Sequence, residues 1–239
     1  MLNIPDKYKV EVVLSLKNFI PKELKLDQKK RIKDVVKRVV LTDQIIGEEI
    51  PSLINEEYHC EVIQFYDIEL TNIKEASFIV GVYQSLIKSE CVIRVHDTAK
   101  EAYSFAIKRL NQQDKTQIII EESFITNYFN IGLPDKNCDQ LLSYIDYNHI
   151  SNKTDKVSFY KEIFTKAFLL TNVKAYSKVI NIMDCDVWYD NKRVDRLFYY
   201  YKRIVDNRLL LTRTMINTEK VSINQQIKRD IEVLDNNKY

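Results

Sequence analysis

Two apolar runs on either side of one amphipathic segment constrain the fold of this chain more than any other feature of its sequence. The first run, CEVIQFYDIEL at residues 60–70, is apolar on both faces, which is typical of a central strand covered on two sides. Residues 72–88 carry apolar side chains at helical spacing, and the second run, CVIRVH, follows at residues 91–96. A strand, a crossover helix and a strand form a right-handed unit with parallel strands. The sequence therefore predicts a sheet built around these two runs.

Flanking segments extend this sheet. The run AYSFAIKRL follows CVIRVH after HDTAKE, whose polar residues suit a hairpin turn, so this added strand is predicted to be antiparallel. Upstream, Asp27 suits the N-cap of a helix with apolar residues at three-and-four spacing, namely Ile32, Val35, Val36 and Val39. A strand from Val39 to Ile45 is predicted next. Residues 1–125 are thus predicted to form an α/β (α+β) N-terminal domain with a mixed sheet.

The rest of the chain is predicted to be mainly helical. After Leu110 the alternation fades, and KTQIIIEESFITNYFNIGLPDKNCDQLLSYI is predicted to be a linker with partial structure. Helical periodicity returns in VSFYKEIFTKAFLLTNV, so residues 126–190 are predicted to combine a linker and a helical segment. From Asn191 to Leu234 there is neither Gly nor Pro, which predicts that residues 191–239 form one long helix, or two in sequence as a helical hairpin.

Two packing arrangements compete for this C-terminal segment. Leu197, Ile204 and Leu211 keep the seven-residue step of a coiled coil, but Thr218 and Gln225 follow where a strict seam stays apolar. The alternative is an antiparallel helical hairpin against residues 157–172. The sequence leaves both arrangements open.

Composition excludes several classes of protein. The 36 basic and 34 acidic side chains give a net charge of +2, so no global field draws the chain to nucleic acid or to an anionic membrane. The four cysteines are too far apart for a zinc knuckle or redox motif, which indicates buried thiols in a reducing compartment. The N-terminus MLNIPDKYKV has no signal-peptide order, and no apolar run approaches ~20 residues. We therefore expect a soluble cytoplasmic protein without a membrane partner.

The carboxylates of CEVIQFYDIEL are the first candidate site. Asp67 and Glu69 share one face of the strand because side chains alternate with period two. A Mg²⁺-dependent nuclease needs such a face, with a lysine to polarise the attacking water, and Lys108 is the available lysine if its strand is a neighbour. The favoured interpretation is that these acids decorate the wet end of a scaffold strand. On that interpretation there is no catalytic residue, no metal and no cofactor, and Mg²⁺ enters only with the nuclease alternative.

Other catalytic motifs have little support. His59, His96 and His149 are too dispersed for a metal trio, and His96 beside Asp97 is more often an ordinary turn than a catalytic dyad. No glycine-rich phosphate loop or nucleophile elbow occurs, and the chain has only 3 Gly. The common nucleotide-binding enzymes are therefore disfavoured.

A basic and aromatic stretch, DNKRVDRLFYYYKRIVDNR, is the second candidate site. Its cations would grip phosphates and its aromatic side chains would stack on bases, as in proteins that bind single-stranded DNA or RNA. A helix with one buried aromatic face and one solvated charged face has the same composition. The candidate nucleic-acid-binding residues are Lys192, Arg193, Arg196, Lys202, Arg203 and Arg208.

The order of several landmarks resembles a known prokaryotic family. IPK at residues 20–22 precedes the basic helix, and EVIQFYDIEL, VYQSLIK, AIKRLN and FYKEIF follow in turn before the long charged C-terminal segment. This order is similar to that of the family catalogued as domain of unknown function 4391. The resemblance implies a cytoplasmic protein whose genes lie near helicases and DNA methyltransferases in defence or restriction clusters. It implies no catalytic residues.

Several polar positions depart from that family's pattern. Gln44 and Thr71 stand where its members tend to carry Lys, Gln84 where Asp is common, and Lys88 where Pro is common, whereas Lys108 matches. The apolar positions keep the pattern. We therefore expect a non-enzymatic accessory subunit of a DNA-processing or antiphage system that docks to a larger partner such as a helicase or nuclease. Self-association is a further expectation, driven by the long C-terminal segment.

Overall fold

The computed structural model describes residues 2–17 and 19–239. These residues form nine strands and seven α-helices. The strands are β1 (Lys9–Val13), β2 (Val36–Ile45), β3 (Leu53–Ile54), β4 (His59–Cys60), β5 (Ile63–Leu70), β6 (Glu90–His96), β7 (Lys100–Leu110), β8 (Ile118–Ile125) and β9 (Phe129–Asn130). The helices are α1 (Leu26–Val35), α2 (Ala76–Leu86), α3 (Lys136–Tyr144), α4 (Lys156–Thr171), α5 (Val179–Met183), α6 (Asn191–Arg213) and α7 (Asn217–Asp235).

A seven-stranded mixed sheet organises the N-terminal half. Its strand order is β1-β2-β5-β6-β7-β8, and the short β9 also pairs with β7. β5 and β6 are parallel and connected through α2, whereas the other pairs are antiparallel. The predicted fold class, a mixed sheet followed by a mainly helical C-terminal region, is confirmed.

The junction between α1 and β2 differs from the prediction. The helix ends at Val35 and the strand begins at Val36, so Val36 and Val39 belong to β2 rather than to the helix. Both residues are buried in the sheet. β-Branched residues lose side-chain freedom in a helix and pack well on a pleated surface, which favours the strand here.

The predicted linker after Leu110 is wrong for residues 118–125, which form the full strand β8 against β7. The register shifts between Ile107 and Lys108, so that β8 carries an extra residue, Glu121, between the partners of these two. A bulge of this kind breaks the alternation of apolar and polar side chains. Because the alternation is interrupted, side-chain periodicity did not predict this strand.

Helices cover both faces of the sheet. α2 packs on one face through Ile79 and Tyr83, and α4 packs on the other through Phe159 and Ile163. The fully buried Tyr160 fixes α4 to the sheet, because its hydroxyl donates to the Cys91 carbonyl at 2.7 Å and accepts from the Ala106 amide at 3.1 Å. The core on the α4 side continues into the C-terminal helices, so buried side chains of the sheet and of these helices form one hydrophobic core.

The segment after residue 190 forms two helices, which residues 214–216 separate. α7 folds back on α6, and Arg203 of α6 bonds to Asp230 of α7 at 2.8 Å. Leu197 and Ile204 are buried in the core of the chain itself. Packing against that core explains the seven-residue step, and the coiled-coil prediction is not supported.

The predicted antiparallel packing of this segment on residues 157–172 is also wrong, because α6 runs parallel to α4. The contacts advance together along both helices, from Lys161–Asp195 through Phe164–Phe198 to Phe168–Tyr201. The chain between residues 172 and 190, which includes α5, returns to the start of α4, where Asn191 of α6 donates to the Ser158 hydroxyl at 2.6 Å. None of the helices in residues 2–17 and 19–239 has the length and apolar character needed to span a membrane.

Candidate functional site

Asp67 lies in a network of charged side chains across three strands. Arg94 on β6 is its direct neighbour in register and donates to it at 2.9 Å, and His96 contacts its other oxygen at 3.1 Å. Arg94 also bonds to Glu101 on β7 at 2.6 Å. The network is half-buried, and its two carboxylates face one guanidinium and one imidazole. The first candidate acid is therefore charge-compensated by its own sheet.

Electrostatics within this network favour the charged forms. Burial raises the pKa of Asp67, but the hydrogen bond with His96 and the charge of Arg94 together leave that pKa below its ordinary value. The same hydrogen bond raises the pKa of His96 above its ordinary value, and burial opposes it less strongly. The other ring nitrogen of His96 lies 3.3 Å from the Asp97 carbonyl. A protonated imidazole donates to both acceptors, which leaves no ring nitrogen to act as a general base.

The structure does not bring Lys108 together with Asp67 and Glu69. Its ammonium is buried and donates to the carbonyls of Ile87 and Ser89, at 2.8 Å each, and to the Cys91 sulfur at 3.4 Å.

The sheet itself separates these groups. Cys91 packs on the α2 side, whereas Asp67 follows the alternation of Ile63 and Phe65, whose side chains are on the α4 side. Glu69 pairs with the half-exposed Lys37 of β2 at 3.3 Å. Within residues 2–17 and 19–239, no group of three or more His, Cys, Asp and Glu could hold a metal ion.

We expect the coupling between Asp67 and His96 to depend on pH. The folded pKa of His96 is raised, so its stabilisation is complete below about pH 6.5 and is lost as the pH rises through the folded pKa. The folded pKa of Asp67 is lowered, so its stabilisation is present above about pH 4 and is lost as the pH falls through the folded pKa. A double-mutant cycle with Asp67→Asn and His96→Gln, measured by urea unfolding, should give a larger coupling at about pH 5.5 than at about pH 9.

The exposed pair Lys37 and Glu69 supplies the control for this cycle, since it contains no histidine. Substituting Lys37→Gln and Glu69→Gln should give a small coupling at both pH values, as is usual for surface pairs. An Asp67–His96 coupling that is equal or larger at the higher pH would show that the imidazole is not charged in the folded protein.

The candidate cations of α6 are engaged mainly by the chain itself. Arg193 pairs with Asp186 at 3.2 Å, and Arg203 pairs with Asp230 at 2.8 Å. Lys202 pairs with Glu122 of β8 at 3.1 Å and with Asp206 at 3.5 Å. Arg196 and Arg208 each donate to a backbone carbonyl, that of Lys192 and that of Ala175 respectively. Acidic neighbours therefore reduce the field that three of the six cations offer to phosphates.

The aromatic side chains of the same stretch divide into two sets. Phe198 and Tyr201 pack inward against Phe168, with ring centroids 5.0 and 6.3 Å away. Tyr199 and Tyr200 pack edge-to-face on each other at 5.3 Å, and Arg203 lies over both rings. The inward pair belongs to the core. This agrees with the alternative in which one aromatic face of the helix is buried.

A different surface stands out at the turn between α6 and α7. Five large apolar side chains lie exposed within thirteen residues, which we name the hairpin tip: Leu209, Leu210, Met215, Ile216 and Val221. Met215 is 87% exposed. The sequence signal for this surface is the run LLLTRTMI in an otherwise charged segment. It was overlooked because Leu211 of this run was assigned to a coiled-coil seam. A concentration of exposed large apolar side chains in one segment is a candidate interaction site.

These features define a mixed α/β protein with a C-terminal helical hairpin. A scan against protein families matches residues 2–232 to the family described as domain of unknown function (DUF4391). The chain belongs to this family, as its sequence landmarks indicated. A search of curated proteins gave no match. A search of solved structures gave none either.

Proposed function

We propose that this chain is a non-enzymatic accessory subunit that docks to a larger protein through the hairpin tip. The observation that carries the proposal is the apolar tip itself, where Met215 and Ile216 are 87% and 56% exposed at the end of two packed helices. Leaving such side chains in water forfeits roughly 1.5–3 kcal/mol of burial each, which a partner would recover. The base of the hairpin is anchored in the core, so the tip is presented on a rigid support.

The charges around the tip indicate the kind of partner surface. Between Leu209 and Val221 the sequence carries two basic residues, Arg213 and Lys220, and one acidic residue, Glu219. A surface with an apolar centre and an acidic rim would complement this arrangement. The proposed setting is the cytoplasm, in a prokaryotic DNA-processing or antiphage defence system with a helicase or nuclease as partner. Support for this setting comes from the sequence resemblance.

The nuclease and nucleic-acid-binding alternatives have less support. A Mg²⁺ site would need Asp67 to leave Arg94 and His96, and Lys108 lies on the other face of the sheet. Binding of DNA or RNA through α6 would compete with ion pairs that Arg193 and Arg203 already make. Neither activity has an observation that specifically favours it.

Docking is tested by co-expressing the chain with the product of each neighbouring gene. We expect one product to co-purify in a fixed ratio, with the mass of the complex given by light scattering. The double variant Met215→Asp/Ile216→Asp should lose this partner, because it places two charges in the apolar contact. Leu26→Asp is the matched control, since Leu26 is 85% exposed at the start of α1. It should retain the partner.

Three outcomes would contradict the proposal. The chain could remain monomeric when it is co-expressed with each neighbouring gene product. Alternatively, the double variant could still co-purify with the partner. A dimer that the double variant dissociates would mean that a second copy, and not a larger partner, covers the tip.

A further inference from the structure

A cavity of about 470 Å³ lies between α3, the C-terminal end of α4 and α6. This volume is within the range of ordinary small-molecule sites. Buried apolar side chains from three elements form one wall, with Phe129 from β9, Leu141 from α3 and Leu170 from α4. The cavity is separate from the hairpin tip and from the Asp67 network.

The charged groups of this cavity have one sign. Lys174 and Arg208 line it, and its lining residues include no Asp or Glu. The chain as a whole has nearly equal numbers of acids and bases, so a cavity with two cations and no acid is a local departure. Within residues 2–17 and 19–239, neither cation is within ion-pair distance of a carboxylate. This distinguishes Arg208 from Arg193 and Arg203 on the same helix.

Arg208 is held in place by the backbone. Its Nε donates to the Ala175 carbonyl at 2.9 Å, which fixes the guanidinium at the cavity while its two terminal nitrogens remain available to an acceptor. A guanidinium presents these donors in a planar fork that matches a phosphate or carboxylate.

Amide side chains complete the polar part of the lining. Asn127 and Asn172 are fixed through donation to the carbonyls of Thr171 and Phe168, at 3.2 and 2.9 Å. Asn137, in the first turn of α3, also lines the cavity. A small number of oriented polar groups beside an apolar wall is the usual composition of a ligand site.

We propose that this cavity binds a small organic anion. Its phosphate or carboxylate group would pair with Arg208 and Lys174, and its planar or apolar body would pack against Leu141 and Leu170. The anionic group would neutralise the two unpaired cations, and the apolar body would cover the apolar wall. This site is independent of the docking role, because none of its residues belongs to the hairpin tip.

Calorimetric titration of the full chain tests this proposal. The phosphate probes are the four nucleoside 5′-monophosphates and phenyl phosphate, the carboxylate probe is phenylpropionate, and inorganic phosphate tests the anionic group alone. We expect at least one organic anion to bind with a Kd below about 1 mM. Adenosine should bind more weakly than its monophosphate, because it lacks the anionic group.

Substitutions identify the site. Lys174→Gln and Arg208→Gln should each weaken the best probe about tenfold, the loss expected for one charge-assisted hydrogen bond. Arg196→Gln is the matched control, because Arg196 lies on the same helix and also donates its Nε to a carbonyl. It should leave the affinity unchanged. Lys174 is exposed, so its variant keeps the test valid if Arg208→Gln alters folding.

Three results would overturn the proposal. The first is a Kd above about 1 mM for every probe. The Lys174→Gln variant could bind the best probe as tightly as the unmodified chain does. Adenosine could equal its monophosphate, which would mean that the cations make no contribution.

Discussion

Replacing Glu162 with alanine is expected to lower the free energy of unfolding by about 3–5 kcal/mol. Glu162 is wholly buried in α4 and pairs with the buried Lys166 at 2.6 Å. Its carboxylate also accepts the backbone amides of Ser151 and Asn152, at 3.0 and 2.7 Å. The substitution would leave two buried amides without their acceptor, and the Lys166 ammonium would lose its counter-charge and keep only the His149 carbonyl, at 3.0 Å. Burying unpaired polar and charged groups carries a large cost.

The measurement is urea unfolding at neutral pH. Glu232→Ala is the matched control, since Glu232 is an exposed helical glutamate of α7 and should change the free energy by less than about 0.5 kcal/mol. The double variant Glu162→Leu/Lys166→Met should be more stable than Glu162→Ala, because it buries no unpaired charge. A loss below about 1 kcal/mol for Glu162→Ala would mean that water reaches this pair.

Replacing Phe164 with alanine is expected to cost a similar amount, about 3–5 kcal/mol. Phe164 of α4 lies in an aromatic cluster that joins the sheet to the C-terminal helices. Its ring centroid is 5.1 Å from that of Phe124 on β8 and 5.4 Å from that of Phe198 on α6. Truncation would remove the contacts with both neighbours and leave a cavity that this close-packed site cannot fill.

Because the cluster spans sheet and helices, the loss should appear in one unfolding transition. The single tryptophan, Trp188, is buried on the helical side, and its fluorescence should report the same midpoint as far-ultraviolet circular dichroism. Phe78→Ala is the control, since Phe78 is half-buried on α2 outside the cluster and should cost less. Separate midpoints for the two signals would show that the two parts unfold independently.

The strand–helix–strand unit was predictable because its signal is local. Side-chain periodicity within residues 60–96 indicated β5, α2 and β6, and the helical crossover between the two strands indicated their parallel pairing. The shared face of Asp67 and Glu69 followed from the same alternation. The family resemblance was predictable for a similar reason, because the apolar landmarks keep their order.

The neighbours of these acids were not predictable, because they depend on register. Arg94 lies opposite Asp67 only through the pairing of β5 with β6, which no local pattern specifies. Likewise, a single sequence does not reveal that the Lys108 side chain turns to the α2 side and satisfies carbonyls there. The candidate nuclease site therefore combined two acids of one strand face with a lysine that lies on the other face of the sheet.

The C-terminal helices show a second limit. A seven-residue apolar step is equally suited to a partner helix and to the chain's own core, and Leu197 and Ile204 use it for the core. The apolar residues that remain in solvent, such as Met215, do not share that step. Sequence periodicity thus indicated an interaction surface at Leu197 and Ile204, whereas the exposed side chains in the structure lie at the hairpin tip.

The most direct measurement is the affinity of the purified chain for the neighbouring gene product with which it co-purifies, compared between the unmodified chain and Met215→Asp. We expect the variant to bind at least about thirtyfold more weakly, the loss of a central apolar contact. An affinity within about threefold of the unmodified chain would contradict docking through the hairpin tip.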